Sequence, residues 1–134
     1  MLNYSSAGSV SGAICKIMER ENLIMDRSFA FALVIVDLYK QLVERKEFVL
    51  SKQLLRSGTS IGANVAEATA AVSKRDFASK MSIASKEARE TKYWLDLLEH
   101  SQLVELNFAP ALQQVRQLIN ILTAIVKTAQ ANLG

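Results

Sequence analysis

The sequence predicts an all-α protein, an up-down-up-down antiparallel four-helix bundle. Three observations point there. Apolar residues recur at steps of three, four and seven along four separate stretches, which is the spacing of one helix face. Strand signals are missing: there is no Asn-Gly or Asp-Gly hairpin turn and no sustained alternation of apolar and polar residues. The breaks between the stretches are short, and short connections make successive helices antiparallel neighbours. With 134 residues, half of them hydrophobic and one of them Pro, the chain is a single domain large enough for a core.

Residues 1–21 read as a flexible or non-native N-terminal segment ahead of a bundle domain at 22–134. Met1–Gly12 carries four Ser and two Gly and reads as disordered or vector-derived. Ile14–Glu21 can form a short turn of helix, and Met18 is a candidate start. The first full helix is expected from Arg27 to Arg45, capped by Asp26 or Ser28, whose side chains can accept from free first-turn amides. It carries two apolar stripes, Phe29, Leu33, Val36 and Val43 on one face and Phe31, Ile35, Leu38 and Leu42 on another. One stripe suffices for a helix in a monomeric bundle. Two predict burial on two sides, by a core and by a second subunit, or else a central position in the chain's own core.

The second helix is expected from Phe48 to Ala71. Leu50, Leu54, Ile61, Val65 and Ala68 form its apolar face, and Gln53, Ser57, Ser60, Asn64 and Glu67 a polar row beside it. Gly58 and Gly62 lie one turn apart, and each Gly costs a helix about 1 kcal/mol against Ala. Close approach of a neighbouring helix, with Ser, Thr and Asn bonding across the gap, would offset that cost. Ser73 is expected to cap a third helix from Lys74 to Gln102, whose seam is Phe77, Met81, Ala84, Ala88, Thr91, Leu95 and Leu98. Pro110 fits the first turn of a fourth helix ending near Ala131. Leu112, Val115, Ile119, Leu122 and Val126 form its stripe, widened by Leu118, Ile121 and Ile125.

Composition narrows the function. The longest apolar run, Phe29–Val36, is eight residues, far short of the ~18–20 that span a bilayer. No membrane partner is expected. Residues 1–15 lack a basic start followed by an apolar run, and Cys15 is the only cysteine, which fits a reducing, cytoplasmic setting. Net charge is +3, which permits a polyanionic partner without arguing for one.

Catalytic signals are poor, and no enzyme activity, cofactor or metal is expected. His100 is the only histidine; Asp96 lies one turn before it, but two ligands do not make a metal site, and a His near a helix C-terminus suits the dipole. The Gly58 and Gly62 pair follows no strand, so it is not a phosphate loop. The strongest polar cluster pairs Arg56, Ser57, Ser60, Asn64 and Glu67 with Glu87 and Glu90, beside Trp94. It reads as a network that fixes helix register. The alternative is a ligand or catalytic pocket, a small-molecule enzyme using buried Glu87 and Glu90. Lys40, Arg45, Lys46 and Lys52 gather near the first turn of the bundle, and Lys74, Arg75 and Lys80 near the second. One copy of either cluster would hold RNA or DNA feebly; several copies in an oligomer would gain through avidity. A protein partner docking on the helix ends is the competing expectation.

Ser28-Phe29-Ala30-Phe31, the run Gln53–Ala68, Asp76-Phe77, Lys86–Thr91 and Tyr93-Trp94-Leu95 together resemble the bacterial four-helix bundle family also called the 23S rRNA intervening-sequence protein, or S23 ribosomal-protein-like, family. The resemblance covers about residues 22–130. It implies a cytoplasmic bacterial bundle assembled as a ring, a homopentamer, with no enzymatic activity and no catalytic residues to carry over. Some members of the family are encoded within insertions in 23S rRNA genes. A related branch, the accessory variability proteins of diversity-generating retroelements, resembles basic barrels that bind nucleic acid and a reverse transcriptase. The net charge of +3 departs from the strongly basic character expected of that branch.

Overall fold

The computed structural model of the protein describes residues 12–133. Four helices follow one another: α1 Gly12–Glu44, α2 Leu50–Thr69, α3 Lys74–Ser101 and α4 Ala109–Ala131. Each packs on two others, α1 on α2, α2 on α3, α3 on α4 and α4 back on α1, so the bundle has four sides. The expected class and topology hold.

The first helix is longer than expected. It begins at Gly12, not near Arg27. The inner stripe of Phe31, Ile35, Leu38 and Leu42 reaches back seven residues to the fully buried Ile24, which keeps the helix anchored past the proposed caps. Asp26 and Ser28 therefore lie mid-helix and cap nothing; the Ser28 hydroxyl donates to the Met25 carbonyl at 3.2 Å. The helix crosses position 21 without a break. Met1–Ser11, the core of the segment expected to be flexible or non-native, lie outside the described residues.

Helix α2 starts two residues later than expected because Glu47 caps it. The Glu47 carboxylate, 9% exposed, accepts from the amides of Val49, Leu50 and Ser51 at 3.0, 2.8 and 2.9 Å. These are free donors of a first helical turn, and a carboxylate there also meets the positive end of the helix dipole. Ser51 completes the cap by donating to the Glu47 carbonyl at 2.8 Å. Lys46, with φ of 63°, makes the left-handed turn that ends α1. Ser73 caps α3 as expected, accepting from the Asp76 amide at 3.0 Å. Pro110 occupies the first turn of α4.

The core runs through the bundle's axis. Leu42, Leu54, Ile61, Met81, Leu95, Leu98, Val115 and Leu122 are all fully buried, and burial of a large apolar side chain contributes about 1.5–3 kcal/mol. The two glycines of α2 face α1. A Cβ on Gly58 would lie 2.8 Å from both γ carbons of Ile35, whereas one on Gly62 would meet the Ser28 carbonyl oxygen at 3.4 Å. Close approach is thus the reason for Gly58, and the contact there is with a side chain rather than with backbone. Ile35 is branched at the clashing atoms and fully buried, so it cannot swing aside.

The glycines should therefore respond differently. Gly58→Ala is expected to destabilise the fold by about 1–3 kcal/mol through overpacking. Gly62→Ala is expected to be neutral or stabilising by up to ~1 kcal/mol through helix propensity. Urea unfolding followed by circular dichroism measures both; equal effects would contradict the geometry.

Candidate functional site

The polar cluster between α2 and α3 forms in part. Arg56 Nη1 lies 3.3 Å from Glu87, and Arg56 Nη2 pairs with Glu90. The Trp94 indole donates to the same Glu90 carboxylate at 2.9 Å. Beneath them the buried hydroxyls of Ser57 and Thr91 hydrogen-bond at 3.0 Å. The other predicted members stay on their own helix or pair elsewhere. Ser60 donates to the Arg56 carbonyl at 2.6 Å and Asn64 to the Ser60 carbonyl at 2.8 Å, both within α2. Glu67 joins Lys80 at 3.1 Å. The side chains of Glu87 and Glu90 are 18% and 36% exposed, so they are not the fully buried pair that the enzyme alternative requires. Both already have partners, and the arrangement ties α2 to α3.

Asp96 and His100 do not converge. The Asp96 carboxylate takes Lys92 at 2.8 Å, while His100 Nδ1 lies 2.8 Å from the Asp96 backbone carbonyl. Among the described residues, no three His, Cys, Asp or Glu side chains gather as a metal site. No described helix is long and apolar enough to cross a membrane.

The predicted basic clusters sit at opposite ends of the bundle. Lys40, Arg45, Lys46 and Lys52 lie exposed near the α1–α2 turn, with Arg45 Nη1 donating to the Gln41 carbonyl at 3.1 Å. Glu47, interleaved with them in sequence, is withdrawn into the α2 cap. Lys74 and Arg75 are exposed at the α2–α3 turn, and Lys80 is held by Glu67. At that end a cleft of about 370 Å³ opens between α1, α2, α3 and α4, floored by Phe77 and Ile125. Glu21 lines it half-buried, and this burial raises its carboxyl pKa above the usual value.

Two long faces stand out on opposite sides. On the α1/α2 side, Phe29 is 67% exposed, Leu33 59%, and Met25 and Val36 40% each. Phe29, Leu33 and Val36 belong to the expected second stripe of α1 and are uncovered, Met25 extends it by one turn, and its last expected member, Val43, is partly buried. Next to it lies a groove of about 680 Å³ whose walls include the small residues Ala32, Gly62, Ala63 and Ala66. On the α3/α4 side, Arg89, Lys92, Arg116 and Asn120 line a shallow cleft of about 450 Å³. Sequence reasoning missed this basic face. Its members are far apart in the chain, and only the helix register, visible in the 3.2 Å contact of Arg89 with Thr123, joins them.

Four helices in a bundle, a polar clamp between the middle two and an exposed apolar stripe on the first place the chain among all-α four-helix bundle proteins. The chain belongs to the 23S rRNA-intervening sequence protein family, whose profile matches residues 20–124. A solved structure agrees. The 1.70 Å crystal structure of a protein of unknown function from the S23 ribosomal protein family of Bacteroides thetaiotaomicron is 47% identical, with a TM-score of 0.77, over 81% of this chain and 98% of that one. No curated protein matches the chain.

Because Arg56 is 49% exposed and its partners only partly buried, Arg56→Ala should cost about 1 kcal/mol, not the ~3–5 of a broken buried pair. Chemical denaturation with Trp94 fluorescence would test this, since the indole shares the Glu90 carboxylate. A loss above ~3 kcal/mol would mean the clamp is far drier than the structure has it.

Proposed function

We propose that this protein is a non-enzymatic scaffold that assembles with copies of itself into a ring, a homopentamer, and binds RNA or DNA in the bacterial cytoplasm. The observation that carries this reading is the uncovered stripe of Met25, Phe29, Leu33 and Val36. Contiguous apolar surface of this kind marks an interaction site. The stripe projects beside a groove walled by alanines and a glycine. Large side chains next to a small-residue groove suit a second copy, whose stripe can fill the groove. An interface of unlike surfaces repeats by rotation, and it makes a ring where that rotation closes. Five copies is the number implied by the family resemblance.

Nucleic-acid binding follows from repetition. A monomer of charge +3 holds a polyanion weakly. A ring multiplies every basic side chain, and phosphate contacts made together gain by avidity. The single cysteine and the family's tie to 23S rRNA favour the cytoplasm. One observation favours a second reading, in which the ring docks a protein: Phe48, Val49 and Val72 are 52%, 72% and 94% exposed at the turns. Apolar tips at helix ends suit a protein surface better than a phosphate backbone.

Light scattering coupled to size exclusion separates these outcomes. The native chain should elute as a ring-sized oligomer, and Phe29→Glu with Leu33→Glu should reduce it to a monomer with unchanged helical circular dichroism, because both side chains point outward. A native monomer would sink the assembly claim. Structured RNA or duplex DNA should shift the oligomer at low salt and be released as salt rises. Indifference to both at low salt would leave the protein partner as the reading to pursue.

A further inference from the structure

The turns are not the only basic part of the molecule. Helix α4 contains no Asp or Glu, and its cations are Arg116 and Lys127. Opposite it, α3 presents Lys86, Arg89 and Lys92 at steps of three. Arg89 reaches Thr123 at 3.2 Å, and that register sets Lys86 and Lys127 one turn further along the same face. Arg89, Lys92, Arg116 and Asn120 line one cleft. Of the carboxylates of α3, Glu87 and Glu90 turn to Arg56 on the α2 side, Asp76 lies in the first turn, and Glu99 is exposed near the far end, two turns beyond Lys92. Asp96 offsets Lys92 alone, at 2.8 Å. Arg116 has no ion-pair partner among the described residues and is exposed.

An aromatic ring sits among these charges. Tyr93 is 59% exposed and falls on the stripe of Lys86 and Arg89 at steps of seven and four. Trp94 meets it edge-on, with ring centroids 5.1 Å apart and planes at 76°, and so holds it without covering it. A fixed, outward aromatic among cations is the arrangement that binds unpaired bases: the phosphates meet the cations and a base stacks on the ring. An acidic peptide would use the cations and leave the ring idle. From Arg116 to Lys127 the helix rises about 16 Å, room for several backbone phosphates.

We propose that the outer α3/α4 face binds single-stranded nucleic acid, with Arg89, Lys92 and Arg116 holding phosphates and Tyr93 stacking a base. This rests on the nucleic-acid reading above and names its surface. The face lies across the bundle from the α1/α2 stripe, so self-assembly through that stripe leaves it open and repeats it around the ring.

The test is fluorescence anisotropy on the full chain, with a short labelled oligouridine RNA, the matching duplex and polyglutamate as probes. The face variant is Arg89→Glu with Arg116→Glu; the turn control is Lys46→Glu with Lys52→Glu. All four side chains are exposed, and light scattering checks that each variant keeps its oligomeric state. The face variant should weaken oligouridine binding more than about tenfold and flatten its salt dependence, since fewer counterions are released. The turn control should change it far less. Tyr93→Ala should weaken single-strand binding by about tenfold while Tyr93→Phe keeps it, and neither should much affect the duplex. RNA binding lost in the turn control and kept in the face variant would overturn the surface while sparing the nucleic-acid reading. Tyr93→Ala binding as tightly as the native chain would overturn the single-strand claim. Polyglutamate bound as tightly as RNA, and lost in the face variant, would reassign the face to an acidic protein. No binding of either nucleic acid by the native chain would overturn this proposal together with the reading it rests on.

Discussion

The fit of α1 against α2 at Gly58 is the contact on which the rest depends. Ile35 occupies the space where a Cβ would stand, and that brings the two helices close enough for Phe31, Ile35 and Leu42 to enter a common core with Leu54 and Ile61. The sequence gives up about 1 kcal/mol of helix propensity at Gly58 to permit this. The same choice has a second effect. A helix face narrow enough to admit α1 continues outward as Gly62, Ala63 and Ala66, and these leave the groove beside Phe29 unfilled. Closeness inside and vacancy outside are two sides of one small-residue pattern.

Much of this was legible in the residues. The heptad seam of α3 is nearly all buried as expected, from Met81 through Leu98, because three-four spacing maps directly onto one side of a cylinder. Ser73 and Pro110 stand where local chemistry put them. The start of α1 was not legible. Asp26 and Ser28 look like caps, but a Ser hydroxyl can bond back along its own helix, and burial of Ile24 outweighs the local signal. Glu47 was equally hidden. Ser, Thr, Asp and Asn are the usual caps, and nothing local distinguishes a Glu that curls onto the next turn from one that faces water. The row Ser60 and Asn64 looked like a cross-helix network and is a set of bonds within α2, since both side chains can satisfy themselves on the preceding carbonyls.

The charge of the chain shows the same limit in its plainest form. A net +3 describes a nearly balanced protein, and reading along the chain finds cations only where they are neighbours in sequence, at the turns. Folding sorts them differently. Some acids are drawn inward or into pairs: Glu47 into a helix cap, Glu87 and Glu90 onto Arg56, Glu67 onto Lys80; others, such as Asp26, Glu44 and Glu99, stay exposed. Helix α4 carries none at all. What remains on the α3/α4 side is an excess of positive charge that the chain's average conceals, and a polyanion responds to that local field rather than to the sum. The apolar stripe of α1 escapes this averaging, because Phe29, Leu33 and Val36 recur at helical spacing and could be read as a second face beside the core stripe. A bundle with one oily side and one basic side, set back to back, has a direction. Copies that meet through the oily side must turn the basic side away from their contact, so assembly and exposure of charge are a single geometric consequence of the order in which four helices pack.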